Sequence, residues 1–281
     1  MSIVYLNGEY VPAEQAMVSI EDRGFLFGDG IYEVVRLYHG RVFEREVHLQ
    51  RWAHSVEGAR LPLRNTLTEL PTIFQRLVQE NNLLDAEIYV QYTRGVAHPR
   101  THAFPTEVHP TLLAMPVPLH LPPPEAYTQG LRTIALPDLR WQRCDIKSTM
   151  LLPNVMAKQQ AREQGAFEAI LVRDGVVKEG ASTNILAVFE GQLATHPLDH
   201  SILGGITRQA VLGLAEELGI PVREKPFTLE QVYSAQELFL SSTTSEVLPL
   251  TRINGQPVGT GRPGPVTLRL YEAFQKLTAK L

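Results

Sequence analysis

Five of the nine residues from Pro116 to Pro124 are proline. Proline fixes φ and brings no N–H to a sheet or helix ladder, so this stretch reads as an extended, semi-rigid connector. It divides a chain of 281 residues, which is long enough to bury two hydrophobic cores. The expected organisation is an N-terminal domain over residues 1–117, a linker over 118–124 and a C-terminal domain over 125–281.

On the N-terminal side, alternation of apolar residues predicts strands at 3–6 and 9–11 about an Asn7-Gly8 turn, and at 31–38 and 41–43 about His39-Gly40. Leu49, Trp52, Ala53 and Val56 recur at i, i+3, i+4, i+7, as do Leu70, Ile73, Phe74 and Leu77; that is the stripe of an amphipathic helix. Strands at 86–93 and 111–115 complete a compact α/β unit. Beyond the prolines, strands are predicted at 131–136, 167–172, 176–178, 184–189 and 238–242, with Asp174-Gly175 and Glu190-Gly191 as turns. Helices at 154–163 and 208–218 end at Gly165 and Gly219, and Leu270, Tyr271, Phe274 and Leu277 mark a terminal helix.

Composition removes whole classes of function. With 26 Lys+Arg against 30 Asp+Glu the formal charge is −4, which gives no basic footprint for nucleic acid or an anionic membrane. No apolar run approaches the ~20 residues of a membrane helix, and the N-terminus lacks the pattern of a signal peptide. The single cysteine, Cys144, has no partner for an intramolecular disulfide, which suits a reducing compartment. A cytoplasmic enzyme is expected. The glycines of Gly24-Phe25-Leu26-Phe27-Gly28-Asp29-Gly30 miss the dinucleotide spacing, and no P-loop or G-x-S-x-G elbow occurs. His98, His102 and His109 lack zinc-ligand spacing, so no metal is expected.

Several segments have both a chemical and a plain reading. Gly204-Gly205-Ile206-Thr207 precedes the 208–218 helix; with Thr207 as N-cap, the free N–H groups of the first turn could face an anion, or the segment is simply a helix start. Ser241 to Ser245 are five successive hydroxyl residues after a strand, either a turn or an anion cradle. Lys147 lies between Trp141 and Met150-Leu151-Leu152, where apolar surroundings would ease loss of its proton; the alternative is an exposed loop lysine. Glu179 stands before the small residues Gly180-Ala181-Ser182 and is a site acid or a solvated carboxylate. Arg100 and His102 are two apart, so in extended chain both face one way and could grip one carboxylate, or they belong to a surface loop. Arg51 lies off the apolar stripe of its helix, a solvated position unless a phosphate is opposite.

Taken in order, Glu21-Asp22-Arg23-Gly24, Phe27-Gly28-Asp29-Gly30-Ile31-Tyr32-Glu33, Asp145-Ile146-Lys147-Ser148, Lys178-Glu179-Gly180 with Ser182-Thr183-Asn184, Gly205-Ile206-Thr207-Arg208 and Ser242-Thr243-Thr244-Ser245-Glu246 resemble the fold-type IV, pyridoxal-phosphate-dependent aminotransferases. The resemblance runs from about Ile3 to about Phe274. It implies a two-domain α+β or α/β fold with a small N-terminal α/β domain, a larger barrel-like C-terminal β domain, pyridoxal 5′-phosphate between them and a homodimer with shared sites. It also implies that Lys147 forms a Schiff base with the cofactor and that Glu179 pairs with the pyridine nitrogen. Arg51, Ile206, Thr207, Ser242 and Thr243 would hold the phosphate. The Arg100-x-His102 pair, acting with Tyr32 on the substrate carboxylate, is similar to the branch of the family that acts on D-amino acids. Ping-pong exchange between a D-amino acid and a 2-oxo acid is therefore the expected reaction. Transamination of branched-chain L-amino acids or (R)-amines, or aminodeoxychorismate lysis, are the alternatives within the fold.

Overall fold

The computed structural model describes residues 2–281 as two compact units, one reaching Leu119 and taking in Ile146–Met150 and Leu281, the other formed by His120–Asp145 and Leu151–Lys280. The first unit contains β1 (Ile3–Leu6), β2 (Glu9–Pro12), α1 (Arg23–Phe27), β3 (Gly30–Tyr38), β4 (Arg41–Val42), α2 (Arg45–Gly58), α3 (Thr66–Asn81), β5 (Ala86–Thr93) and β6 (Thr111–Val117). Its six strands form one antiparallel sheet in the order β2-β1-β6-β5-β3-β4.

Alternation decides which face is buried. Ile31, Val35 and Leu37 of β3 and Ile88, Val90 and Tyr92 of β5 pack with Trp52 and Val56 of α2 and Leu70, Ile73, Phe74 and Leu77 of α3. Glu33 sits among the inward residues of β3 and is 2% exposed, which requires a partner inside the core. Ile146 joins this core, and Ser148 bridges to Ile31. The segment around Lys147 thus packs with the first unit although it follows the connector in the chain.

The proline-rich stretch is less uniform than its composition suggests. Pro116 lies inside β6, opposite Ile88. Strand β1 pairs with β6 only at Leu113 and Ala114, so the missing N–H of Pro116 falls where β6 has a neighbour on one side only. Pro124 is the first residue of α4 (Pro124–Gln129), a position whose N–H no helix uses.

The second unit continues with β7 (Leu131–Pro137), α5 (Leu152–Glu163), β8 (Glu168–Arg173), β9 (Val176–Gly180), β10 (Asn184–Phe189), β11 (Gln192–Thr195), α6 (Ile206–Glu217), β12 (Val222–Glu224), α7 (Leu229–Val232), β13 (Glu237–Ser242), β14 (Glu246–Ile253), β15 (Gln256–Pro257) and α8 (Pro265–Thr278). Its mixed sheet runs β12-β11-β10-β13-β14-β7-β8-β9, with β15 paired to β14. Strand β14 escapes a reading by periodicity because Pro249 interrupts it. That proline is tolerated because β14 pairs with β7 only from Leu250 onward. The core of this unit gathers Ile185, Ala187, Leu238, Leu240, Leu248 and Leu250.

Candidate active site

In the first unit the Lys147 backbone is pinned on both sides. Its N–H donates to Ser55 Oγ at 3.1 Å, and its carbonyl accepts from the Tyr32 N–H at 2.9 Å. The Nζ lies 4.3 Å from the centre of the Tyr32 ring, and Tyr32 stacks on Tyr89 with ring centres 5.6 Å apart. Two expected site residues, Lys147 and Tyr32, are therefore in contact. An ammonium over an aromatic face is held without a carboxylate partner.

Arg51 is not solvated, contrary to the plain reading of its helix position. Its side chain is 10% exposed, with Nε donating to Glu33 Oε1 and Nη2 to Glu33 Oε2, both at 2.7 Å. His48 Nδ1 lies 2.9 Å from Glu33 Oε2 and donates to it, since the carboxylate can only accept. Burial by itself would raise the Glu33 pKa, but Arg51 and His48 override it and hold the carboxyl well below the usual carboxylate range. Burial lowers the pKa of His48 against the pull of Glu33. Glu33 and His48 are residues of this site that a reading of the sequence misses; an acid at an inward position of β3 is the available signal.

Arg100 and His102 are both exposed, and both rest on one ring. The Arg100 guanidinium is 4.4 Å from the centre of Phe27, and the His102 ring centre lies 5.4 Å from it. The fold thus brings this pair to a common aromatic platform.

In the second unit Glu179 is 5% exposed, so it is not a solvated loop acid. Arg140 Nη1 donates to its Oε1, Asn184 Nδ2 donates to Oε2 at 3.0 Å, and the Leu203 N–H lies 3.1 Å from Oε2. Arg140 also grips Asp138 through Nε at 2.9 Å and Nη2 at 3.0 Å, and Arg173 lies 3.0 Å from the same carboxylate. Burial dominates at Glu179 and pushes its pKa up to about 7, against the pull of Arg140, whose charge is shared with Asp138. Asp138 itself is held low, because Arg140 and Arg173 outweigh its burial. The Asp138-x-Arg140 spacing, which puts both side chains on one side of an extended segment, is the signal that points to this pair.

The expected N-cap Thr207 is corrected by the structure. Helix α6 begins at Ile206, with Gly205 as N-cap and no side-chain cap. A Cβ on Gly205 would stand 2.0 Å from Asn184 Oδ1, so only glycine fits there. The first helical hydrogen bond is Gln209 N–H to Gly205 carbonyl, which leaves the N–H groups of Ile206, Thr207 and Arg208 outside the helix ladder. No acidic residue lies in that first turn. Asn184 pairs with Ser241 in the sheet, which brings the end of β13 alongside. Ser241 Oγ is buried with no hydrogen-bond partner. Ser242 Oγ accepts from the Ser245 N–H at 2.9 Å and closes the turn that carries Thr243. The hydroxyl run is therefore a turn as well as a bank of donors.

The pinned lysine, the buried acid and the helix N-terminus beside hydroxyls all fall within residues 30–253, the span matched by the family profile "Amino-transferase class IV". The chain belongs to the class IV aminotransferases. Over 98% of both chains it is 45% identical to a D-alanine aminotransferase of Staphylococcus epidermidis. Among solved structures it is similar to the branched-chain amino acid aminotransferase of Escherichia coli, with a TM-score of 0.92, 31% identity, and 99% of this chain and 94% of that one covered. A second branched-chain amino acid aminotransferase, solved in complex with N-(5'-phosphopyridoxyl)-L-glutamate, gives a TM-score of 0.88 at 27% identity, with 99% and 94% covered. In this aminotransferase the fold-type IV architecture is thus present over 99% of the chain.

Proposed function

We propose that the protein is a pyridoxal 5′-phosphate-dependent transaminase of D-amino acids, exchanging an amino group between a D-amino acid such as D-alanine and a 2-oxo acid. The observation that carries the substrate assignment is the meeting of Arg100 and His102 on Phe27. Two cationic or hydrogen-bonding groups presented from one platform suit a bidentate carboxylate.

The donor set fits the cofactor. Free N–H groups at Ile206 and Thr207, the Thr207, Ser242 and Thr243 hydroxyls and the unpartnered Ser241 Oγ supply what an oxyanion requires. Arg51, its charge matched by Glu33, would direct the phosphate more than attract it. Glu179 would face the pyridine nitrogen, where its ionised carboxylate, held by Arg140 and Asn184, would favour a proton on that atom. When bound, pyridoxal 5′-phosphate supplies a carbonyl carbon for the amino group and a ring that disperses the charge left on Cα.

The chain's own groups perform the rest. Lys147 Nζ would hold the cofactor and would carry the Cα proton of the substrate as general base and acid. Arg100 and His102, with Tyr32, fix the α-carboxylate, so the Cα–H of one enantiomer points at Nζ and that of the other points away. A homodimer in which Arg100 and His102 serve the partner's lysine, and a cytoplasmic location, belong to the same proposal.

The likeness to branched-chain enzymes makes L-leucine the informative competitor. The purified yellow protein, given D-alanine and L-leucine separately, should lose its visible cofactor absorbance with D-alanine alone. Bleaching by L-leucine alone would overturn the D-specific reading and leave the cofactor assignment standing.

A further inference from the structure

We propose that Arg23 is the positioning residue of the substrate-carboxylate grip, holding the 100–103 loop in the form that presents Arg100 and His102. The inference rests on the carboxylate reading given above and concerns a motif, Glu21-Asp22-Arg23-Gly24, to which that reading assigns no role.

Arg23 is 4% exposed, and its guanidinium is used up on one loop and one acid. Nη1 donates to the Thr101 carbonyl at 2.6 Å and to the Ala103 carbonyl at 3.2 Å. Nη2 donates to the His102 carbonyl at 3.3 Å, and Nε donates to Asp29 Oδ2 at 2.7 Å. Three consecutive carbonyls converging on one cation define the curvature of the loop, because a guanidinium presents its donors in a rigid plane. The same guanidinium lies 4.8 Å from the centre of Phe27, the ring that carries Arg100 and His102. Backbone and side chains of the loop are thus set from one place.

The base beneath Arg23 is itself rigid. Asp22 Oδ1 caps α1 by accepting from the Gly24 N–H at 2.7 Å, and Oδ2 accepts from Thr111 Oγ1 at 2.6 Å. Asp29 is held a second time by Arg94, through Nε at 2.8 Å and Nη2 at 3.0 Å. Arg94 in turn donates to the Ala59 and Arg60 carbonyls and lies 3.6 Å from the centre of Phe104, just past the loop. Thr149, two residues beyond Lys147, donates to the Gly28 carbonyl at 3.0 Å. One turn therefore supports the lysine segment and the specificity loop together.

Because Arg94 keeps Asp29 paired, removing Arg23 leaves no orphaned carboxylate, and the loop carbonyls can turn to water. The expected loss is in binding geometry and not in chemistry. Arg23→Gln and Arg23→Lys should raise KM for D-alanine about tenfold with kcat within about twofold. Propionate, a carboxylate without an amino group, should show the same weakening when its effect on the holoenzyme's cofactor absorbance is titrated. Affinity for pyridoxal 5′-phosphate should be unchanged. Combined with Arg100→Ala, either Arg23 variant should add less than it costs alone, since part of its effect runs through Arg100 and the rest through His102. If Arg100→Ala raises KM and neither Arg23 variant does, the positioning role is overturned and the carboxylate reading stands. If Arg100→Ala is itself silent, the carboxylate reading falls and takes the proposal with it. Additive effects, or cofactor affinity falling in both Arg23 variants alike, would also overturn the role. Arg23→Lys, which keeps the charge beside Asp29, serves if Arg23→Gln does not fold.

Discussion

Glu179 illustrates how a site group is tuned at a cost to the fold. Its pKa moves from 4.5 to about 7, so the folded protein binds a proton that the unfolded chain has released. The unfolded state binds fewer protons between these values, and stability from this group falls as pH rises from 4.5 to about 7. Cofactor-free Glu179→Gln should lack that decline. Thermal melting of both proteins across the interval should show the wild type losing stability relative to the variant, and parallel curves would contradict the assignment. Glu33 has the opposite shift and steadies the core above the ordinary carboxylate pKa. Two buried acids, one paired generously and one sharing its cation, thus reach opposite ionisation behaviour.

Short connections, more than long helices, position the chemistry. The turn after α1 closes on Gly28, whose φ of 68° is left-handed and whose N–H returns to the Arg23 and Gly24 carbonyls. At the end of β5, Gly95 has φ +83°, and a Cβ there would meet the His109 carbonyl oxygen at 1.8 Å. Its own carbonyl accepts the Arg23 N–H at 2.9 Å. Gly95→Ala should therefore destabilise the protein by about 3 kcal/mol through strain and backbone clash, read as a lowered urea midpoint; a midpoint within error of wild type would show that the loop yields freely. Such turns are partly legible in the sequence, since glycine marks them. The carbonyls they approach are not.

On the molecular surface, Met17, Ile20 and Phe25 are 78%, 77% and 75% exposed. Exposed apolar side chains in one segment are available to the proposed dimer. If Arg100 serves its partner's Lys147, a dimer of one Lys147→Ala chain and one Arg100→Ala chain contains one intact site and one doubly defective site. Mixing the inactive Lys147→Ala chain with the weak-binding Arg100→Ala chain after mild dissociation should then restore the wild-type KM for D-alanine. If the mixed and dimeric protein keeps the raised KM of Arg100→Ala, the two residues act within one chain.

Local pattern alone specifies most of the elements. The stripe at Leu70–Leu77, the alternation through β3 and β5 and the glycine turns follow from backbone period and turn geometry, whereas the roles of Lys147, Glu179 and Thr207 are legible only through the resemblance of their ordered motifs to a known family. Which charges meet is settled by long-range packing. Arg51 finds Glu33 across 18 positions, Arg140 finds Glu179 across 39, and Arg23 reaches the Thr101 carbonyl across 78. Nothing in local periodicity encodes such pairings, because a buried charge is satisfied by whatever the packing of distant elements brings within hydrogen-bond reach.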